Sequence, residues 1–155
     1  MILQALPAAG KTWLKRNYPS KVVDTDDVLL ELTGDVSSEA HDQVLRGGPK
    51  NVKFKEVIQA ALRGGKVVAT NINLSKSGIN DHPVVLVGYD PHGYIRHIKN
   101  TGRLDLIEAF GEKTLRSWAQ DYVDAGAMIL QPSESLIDAY RIIENAPKLR
   151  NGGKQ

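Results

Sequence analysis

The chain has 155 residues, 41% of them hydrophobic, which is enough for one domain with its own core. It holds no cysteine, which excludes a disulfide framework and any cysteine-ligated zinc or iron–sulfur centre. A formal charge of +2 is too small to argue nucleic-acid binding from totals, and no apolar run reaches the roughly 20 residues of a membrane span.

In chain order, short apolar runs alternate with helical text, as in a parallel α/β sheet. The runs are Ile2–Ala5, Lys21–Asp24, Lys66–Thr70, Pro83–Tyr89 and Ala127–Leu130. Strands buried on both faces read as unbroken Val, Ile and Leu, and Val84-Val85-Leu86-Val87 reads that way. Between the runs, a helix is expected over Val28–Leu32, capped by Asp26 or Asp27. Phe54, Val57, Ile58, Ala61 and Leu62 recur at helical spacing until Gly64-Gly65 ends the pattern. Asp90-Pro91 is a cap and first-turn signal for a helix containing Tyr94, Ile95 and Ile98. One helix with a weak point at Gly111 is predicted from Leu104 to Val123, and a last helix from Ser133. A single domain over 1–146 and a flexible polar tail over 147–155 are the expected organisation. The N-terminus has no basic stretch before its apolar run, so a cytoplasmic protein is expected.

The chemistry concentrates at strand ends. Ala5-Leu6-Pro7-Ala8-Ala9-Gly10-Lys11-Thr12 follows the first strand and approaches the phosphate-loop pattern, with alanine where its first glycine would stand. In such a loop Pro7, Ala8, Ala9 and Gly10 curl about a nucleoside triphosphate, with the amides of the last three as donors. Lys11 reaches its β- and γ-phosphates, and the Thr12 hydroxyl joins a Mg²⁺ shell. The second strand ends in Asp24-Thr25-Asp26-Asp27, three carboxylates that repel one another without a cation or hydroxyl partner. Asp24 is read as a Mg²⁺ ligand through water, and Asp26 as the base that takes a proton from an attacking hydroxyl. His41, His82, His92 and His97 lack zinc-type spacing and are read as surface or structural.

Gly10-Lys11-Thr12 followed by Val23-Asp24-Thr25-Asp26 and Leu32-Thr33-Gly34 resembles the layout of shikimate kinases. The loop, and a third strand running into Asn71-Ile72-Asn73, are similar to phage-type polynucleotide kinases and related nucleotide kinases. This resemblance to the P-loop kinase superfamily implies a three-layer αβα sandwich with five parallel strands in the order 2-3-1-4-5. It implies an ATP- and Mg²⁺-dependent phosphotransferase acting on a nucleotide, a nucleoside or a polynucleotide end. The triple glycine of shikimate kinases is replaced by Asn71-Ile72-Asn73, and Ala69-Thr70 stand where an acid is usual. A small-metabolite kinase and a nucleotide-binding module without transfer activity are therefore the alternatives.

By the same resemblance, Asp26, Asp27, Arg46 and Asn71 border a phosphorylated or nucleic-acid acceptor. The basic residues from Arg46 to Lys66 suit such a partner, or a solvated helix face. Arg103 beside Gly102, or Arg96, is the lid arginine that closes over the transferring group. Pro132, after the fifth strand, packs on the adenine.

Overall fold

The structure, a computed structural model, describes residues 1–153, with side chains described as far as Asn145. Five parallel strands form one sheet in the order β2-β3-β1-β4-β5, flanked by helices. They are β1 (Ile2–Ala5), β2 (Val22–Asp24), β3 (Val67–Thr70), β4 (Val84–Tyr89) and β5 (Met128–Leu130). Each lies within its expected run, starting at most one residue later. The register sets Asp24 beside Ala69 and Gln4 beside Thr70, so β1, β2 and β3 reach their C-terminal ends at one edge.

The chain divides into two compact units, with the division falling inside β4. The first comprises Met1–Ala5 and Lys11–Val85. It contains α1 (Lys11–Asn17), α2 (Thr25–Thr33), α3 (Ser38–Leu45) and α4 (Pro49–Arg63). Its core gathers Ile2, Val28, Leu29, Val44, Phe54, Ile58 and Val68, the apolar positions of two strands and three helices. α2 starts three residues before the expected Val28, because Asp24 caps it in place of Asp26 or Asp27. The α3 helix was not foreseen, since it is short and carries only Ala40 and Val44 as buried residues.

The second unit comprises Leu6–Gly10 and the chain from Leu86 onward. It contains α5 (Pro91–Asn100), α6 (Leu104–Phe110), α7 (Glu112–Asp124) and α8 (Leu136–Gly153). Asp90 caps α5 as its sequence signal indicates, accepting from the Gly93 amide at 2.9 Å. The last helix begins three residues after Ser133. The Ser135 amide donates to Asp138 Oδ2 at 2.8 Å, and Gln131-Pro132-Ser133 are spent on a turn in which the Glu134 amide donates to the Gln131 carbonyl. The tail expected over 147–155 falls on residues whose side chains lie outside the described set, and 154–155 lie outside it altogether; α8 carries the backbone to Gly153.

The single helix expected from Leu104 to Val123 is two. Gly111 adopts φ 82° and ψ 151°, a region open to glycine alone, and separates α6 from α7. A Cβ at Gly111 would meet no atom within 4 Å, so the cost of a side chain there is conformational only. Gly111→Ala is expected to destabilise the fold by about 1–3 kcal/mol, read as a lower urea midpoint at unchanged m-value.

Candidate functional site

In the first unit the edge where β2 and β3 end carries a buried cation. Lys11 is only 8% exposed, and its Nζ lies 2.7 Å from Asp26 Oδ2 and 3.5 Å from Asp24 Oδ1. A buried ammonium needs this pairing, because an unpaired charge taken out of water is strongly disfavoured. Asp24 is itself buried, and its Oδ1 also accepts the Asp26 amide at 2.9 Å, which makes it the N-cap of α2. Burial pushes the Asp24 carboxyl above its ordinary value, against the opposing pull of Lys11 and of the Asp26 amide. Asp26 is part-exposed, and Asp27 points to solvent.

Behind these acids, Thr25 donates its hydroxyl to Thr70 at 2.9 Å, and the Thr70 oxygen accepts the Ile72 amide at 3.1 Å. The position where an acid was looked for thus ties the end of β3 to α2. Asn71 follows directly, and its Oδ1 is buried without a hydrogen-bond partner among the described residues. An unsatisfied buried acceptor at a strand end is costly and calls for a donor from elsewhere. Arg46 does not join this group: it is exposed at the end of α3 and pairs with Asp42 one turn back at 3.1 Å.

In the second unit the segment Leu6–Gly10 is fixed through its carbonyls. Pro7 O accepts from the Tyr94 hydroxyl at 2.8 Å, Ala8 O faces His97 Nε2 at 2.7 Å, and Ala9 O accepts the Leu136 amide at 2.8 Å. A tight turn, closed by the Ala9 amide on Leu6 O at 3.3 Å, bends the chain between them. Ala8 has φ 68° and Gly10 φ 102°. Alanine in the left-handed region costs about 1–2 kcal/mol, which the carbonyl contacts hold in place. Ala5, which stands where the pattern has its first glycine, is the last residue of β1, and the bend begins after it. Among the described residues the amides of Ala8 and Gly10, and those of Lys11 and Thr12 that follow in the chain, donate no backbone hydrogen bond.

His97, read from the sequence as surface or structural, is a structural residue that holds the loop. It is 3% exposed and stacks on Tyr89 with ring centroids 4.4 Å apart. Its Nδ1 faces Pro132 O at 2.9 Å while Nε2 faces Ala8 O. Nε2 also lies 3.3 Å from the Tyr89 hydroxyl, so the ring is held by polar neighbours at both nitrogens. The available signal was a polar residue one turn before Thr101 on the same helical side as Tyr94, but nothing in the sequence named its partners. Pro132 therefore appears as the acceptor that orients His97. Arg103 sits just before α6, with its Nε 3.0 Å from Asp105 Oδ1, and Arg96 is exposed on α5 away from Tyr94 and His97. Thr12 is exposed in the first turn of α1.

No group of three metal-ligating side chains occurs among the described residues. Asp24, Asp26 and the Thr12 hydroxyl are hard oxygen donors, and two of the carboxylate oxygens are already engaged by Lys11. Mg²⁺ is commonly held by one or two carboxylates plus a substrate, and Asp24 and Asp26 are carboxylates of that chemistry. No protein-family model matches this sequence and no curated protein matches it, so the functional reading rests on these residues.

Two outcomes test this geometry. His97→Leu keeps an apolar side chain of comparable bulk but strands two carbonyls, and a loss of about 2–4 kcal/mol in urea unfolding is expected. For Asp24, a carboxyl whose value is higher folded than unfolded takes up a proton on folding. Its favourable contribution is complete below the unfolded value near 3.8 and is lost as pH rises through the folded one. The stability of the wild type relative to Asp24→Asn, which retains a capping side chain, should therefore fall as pH is raised from about 4 toward neutrality.

Proposed function

We propose that this protein is a P-loop phosphotransferase that uses ATP and Mg²⁺ to phosphorylate a nucleotide, a nucleoside or a polynucleotide end. One observation carries the reading: the carbonyls of Pro7, Ala8 and Ala9 are tied down, while the amides of Ala8, Gly10, Lys11 and Thr12 donate no backbone hydrogen bond among the described residues. Such backbone donors, in a loop bent by two positive-φ residues, suit an anion with many acceptor oxygens.

Lys11 supplies the second argument. With no ligand it neutralises Asp26 and Asp24; a triphosphate offers it a stronger anion. Movement of the ammonium from Asp26 to the phosphates would free that carboxylate to accept the proton of an attacking hydroxyl. Asp24, buried and anchored as a helix cap, would keep its position during the exchange. Bound Mg²⁺, held by Asp24 and Thr12 together with the phosphates, would supply charge neutralisation on the transferring group. Asn71 Oδ1, lacking a donor, suits a hydroxyl or amino group of the acceptor. Arg103 enters as the lid arginine through the sequence resemblance, and opening its pair with Asp105 would release it.

A second reading, a nucleotide-binding module without transfer, draws on Thr70: the position of the usual acid is occupied by a hydroxyl consumed in hydrogen bonds to Thr25 and Ile72. ADP formation from ATP, measured with a panel of nucleotides, 5′-hydroxyl oligonucleotides and shikimate, separates the two. Acceptor-stimulated turnover is expected with a nucleotide or oligonucleotide, and tight ATP binding without turnover would select the module. Lys11→Ala is expected to abolish binding or turnover. Asp26→Asn should reduce turnover about 100-fold or more while sparing ATP affinity.

A further inference from the structure

The side of α5 turned away from the loop has an opening of its own. His92, Arg96 and Lys99 follow one another at four- and three-residue steps, so they form a stripe about half a turn round the helix from Tyr94 and His97. α7 packs on α5 and brings Glu112 and Arg116, one turn apart, to the same place. With Ile95, these side chains line a cavity of about 340 Å³.

Its charge is unbalanced. Lys99 and Glu112 neutralise each other at 3.3 Å, both of them partly exposed. Arg96 and Arg116 make no ion pair or hydrogen bond among the described residues. Two guanidinium groups beside one cavity repel each other until an anion lies between them. Each offers a planar fork of donors that matches paired oxygens. A carboxylate satisfies one fork. A phosphate monoester, with close to two negative charges and three strong acceptor oxygens, satisfies two. The volume lies within the roughly 300–1,000 Å³ typical of small-molecule sites and exceeds what inorganic phosphate fills. Nearly buried Ile95, 7% exposed, gives the remainder an apolar wall suited to the esterified group.

We propose that the cavity between α5 and α7 is a binding site for a small organic phosphate monoester, gripped by Arg96 and Arg116. The site shares no residue with Lys11, Asp24 or Asp26 and does not depend on the phosphotransfer reading. The monoester is either a free small molecule, for which 5′-AMP is the probe, or the 5′ end of a strand.

The test is a titration of the isotopically labelled full chain with 5′-AMP, adenosine and a 5′-phosphorylated oligonucleotide. It is followed by NMR at the Arg96 and Arg116 Nε–Hε groups and the Ile95 methyls. Saturable shifts with AMP or the oligonucleotide, and none with adenosine, are expected; the tighter of the two phosphorylated ligands identifies the source. Arg96→Ala with Arg116→Ala should weaken AMP binding read at Ile95 by about tenfold or more, the loss of roughly one charge-assisted contact. Lys113→Ala, a nearby exposed charge, should leave it unchanged. The double lysine variant, Arg96→Lys with Arg116→Lys, keeps the charge and loses the fork. It should bind at intermediate strength, and it serves if the double alanine variant does not fold. Equal shifts with adenosine, unaltered binding in the arginine variants, or silence of all three reporters at millimolar AMP would overturn the proposal.

Discussion

A loop backbone can offer its amides to a ligand only if its carbonyls are satisfied elsewhere. Pro7, Ala8 and Ala9 meet this condition through a phenol, an imidazole and the first amide of α8, two donors from one face of α5 and one from α8. All three donor residues are buried, and burial raises the Tyr94 phenol well above its ordinary value, which keeps it a neutral donor. The left-handed conformation of Ala8 is unfavourable on its own and persists because these contacts over-determine it. Gly10 is the second bend, and there a side chain would also meet Ser135 Cβ at 3.3 Å.

The first unit solves a related problem with charge. Lys11 is buried beside two carboxylates of unequal exposure, so its two partners respond differently to solvent. Asp26 lies partly in water and can exchange partners at modest cost; Asp24 lies in the interior and is held by the backbone as well. The asymmetry assigns a static and a responsive role to residues only two apart in sequence. It arises because the end of β2 turns directly into α2.

Much of the fold was legible because its signals are local. Unbroken Val and Leu runs mark strands, although β4 is buried only from Val87 onward and Val84 is half exposed, while Asp90-Pro91 and Gly64 mark helix ends by backbone chemistry alone. The errors came where two local signals competed. Ser133 is a good capping residue, but Asp138 draws the Ser135 amide and the helix starts later. At the site, Lys11, Asp24 and Asp26 were legible from their place at strand ends. The contribution of His97 was not, because its acceptors Ala8 and Pro132 lie far off in the sequence. Arg46 shows the opposite case: an acid one helical turn away, Asp42, engages it locally.

Asp24 answers to several requirements at once, and together they narrow what evolution can place there. The side chain must be short enough to reach an amide two residues on, must carry a negative charge for a buried lysine, and must suit an extended backbone at the close of a strand. Serine, threonine and asparagine meet the first demand without the second; glutamate meets the second with a methylene too many for the first. A position bound this way drifts slowly even while its neighbours vary, so aspartate here should outlast most of the surface in any lineage that keeps Lys11.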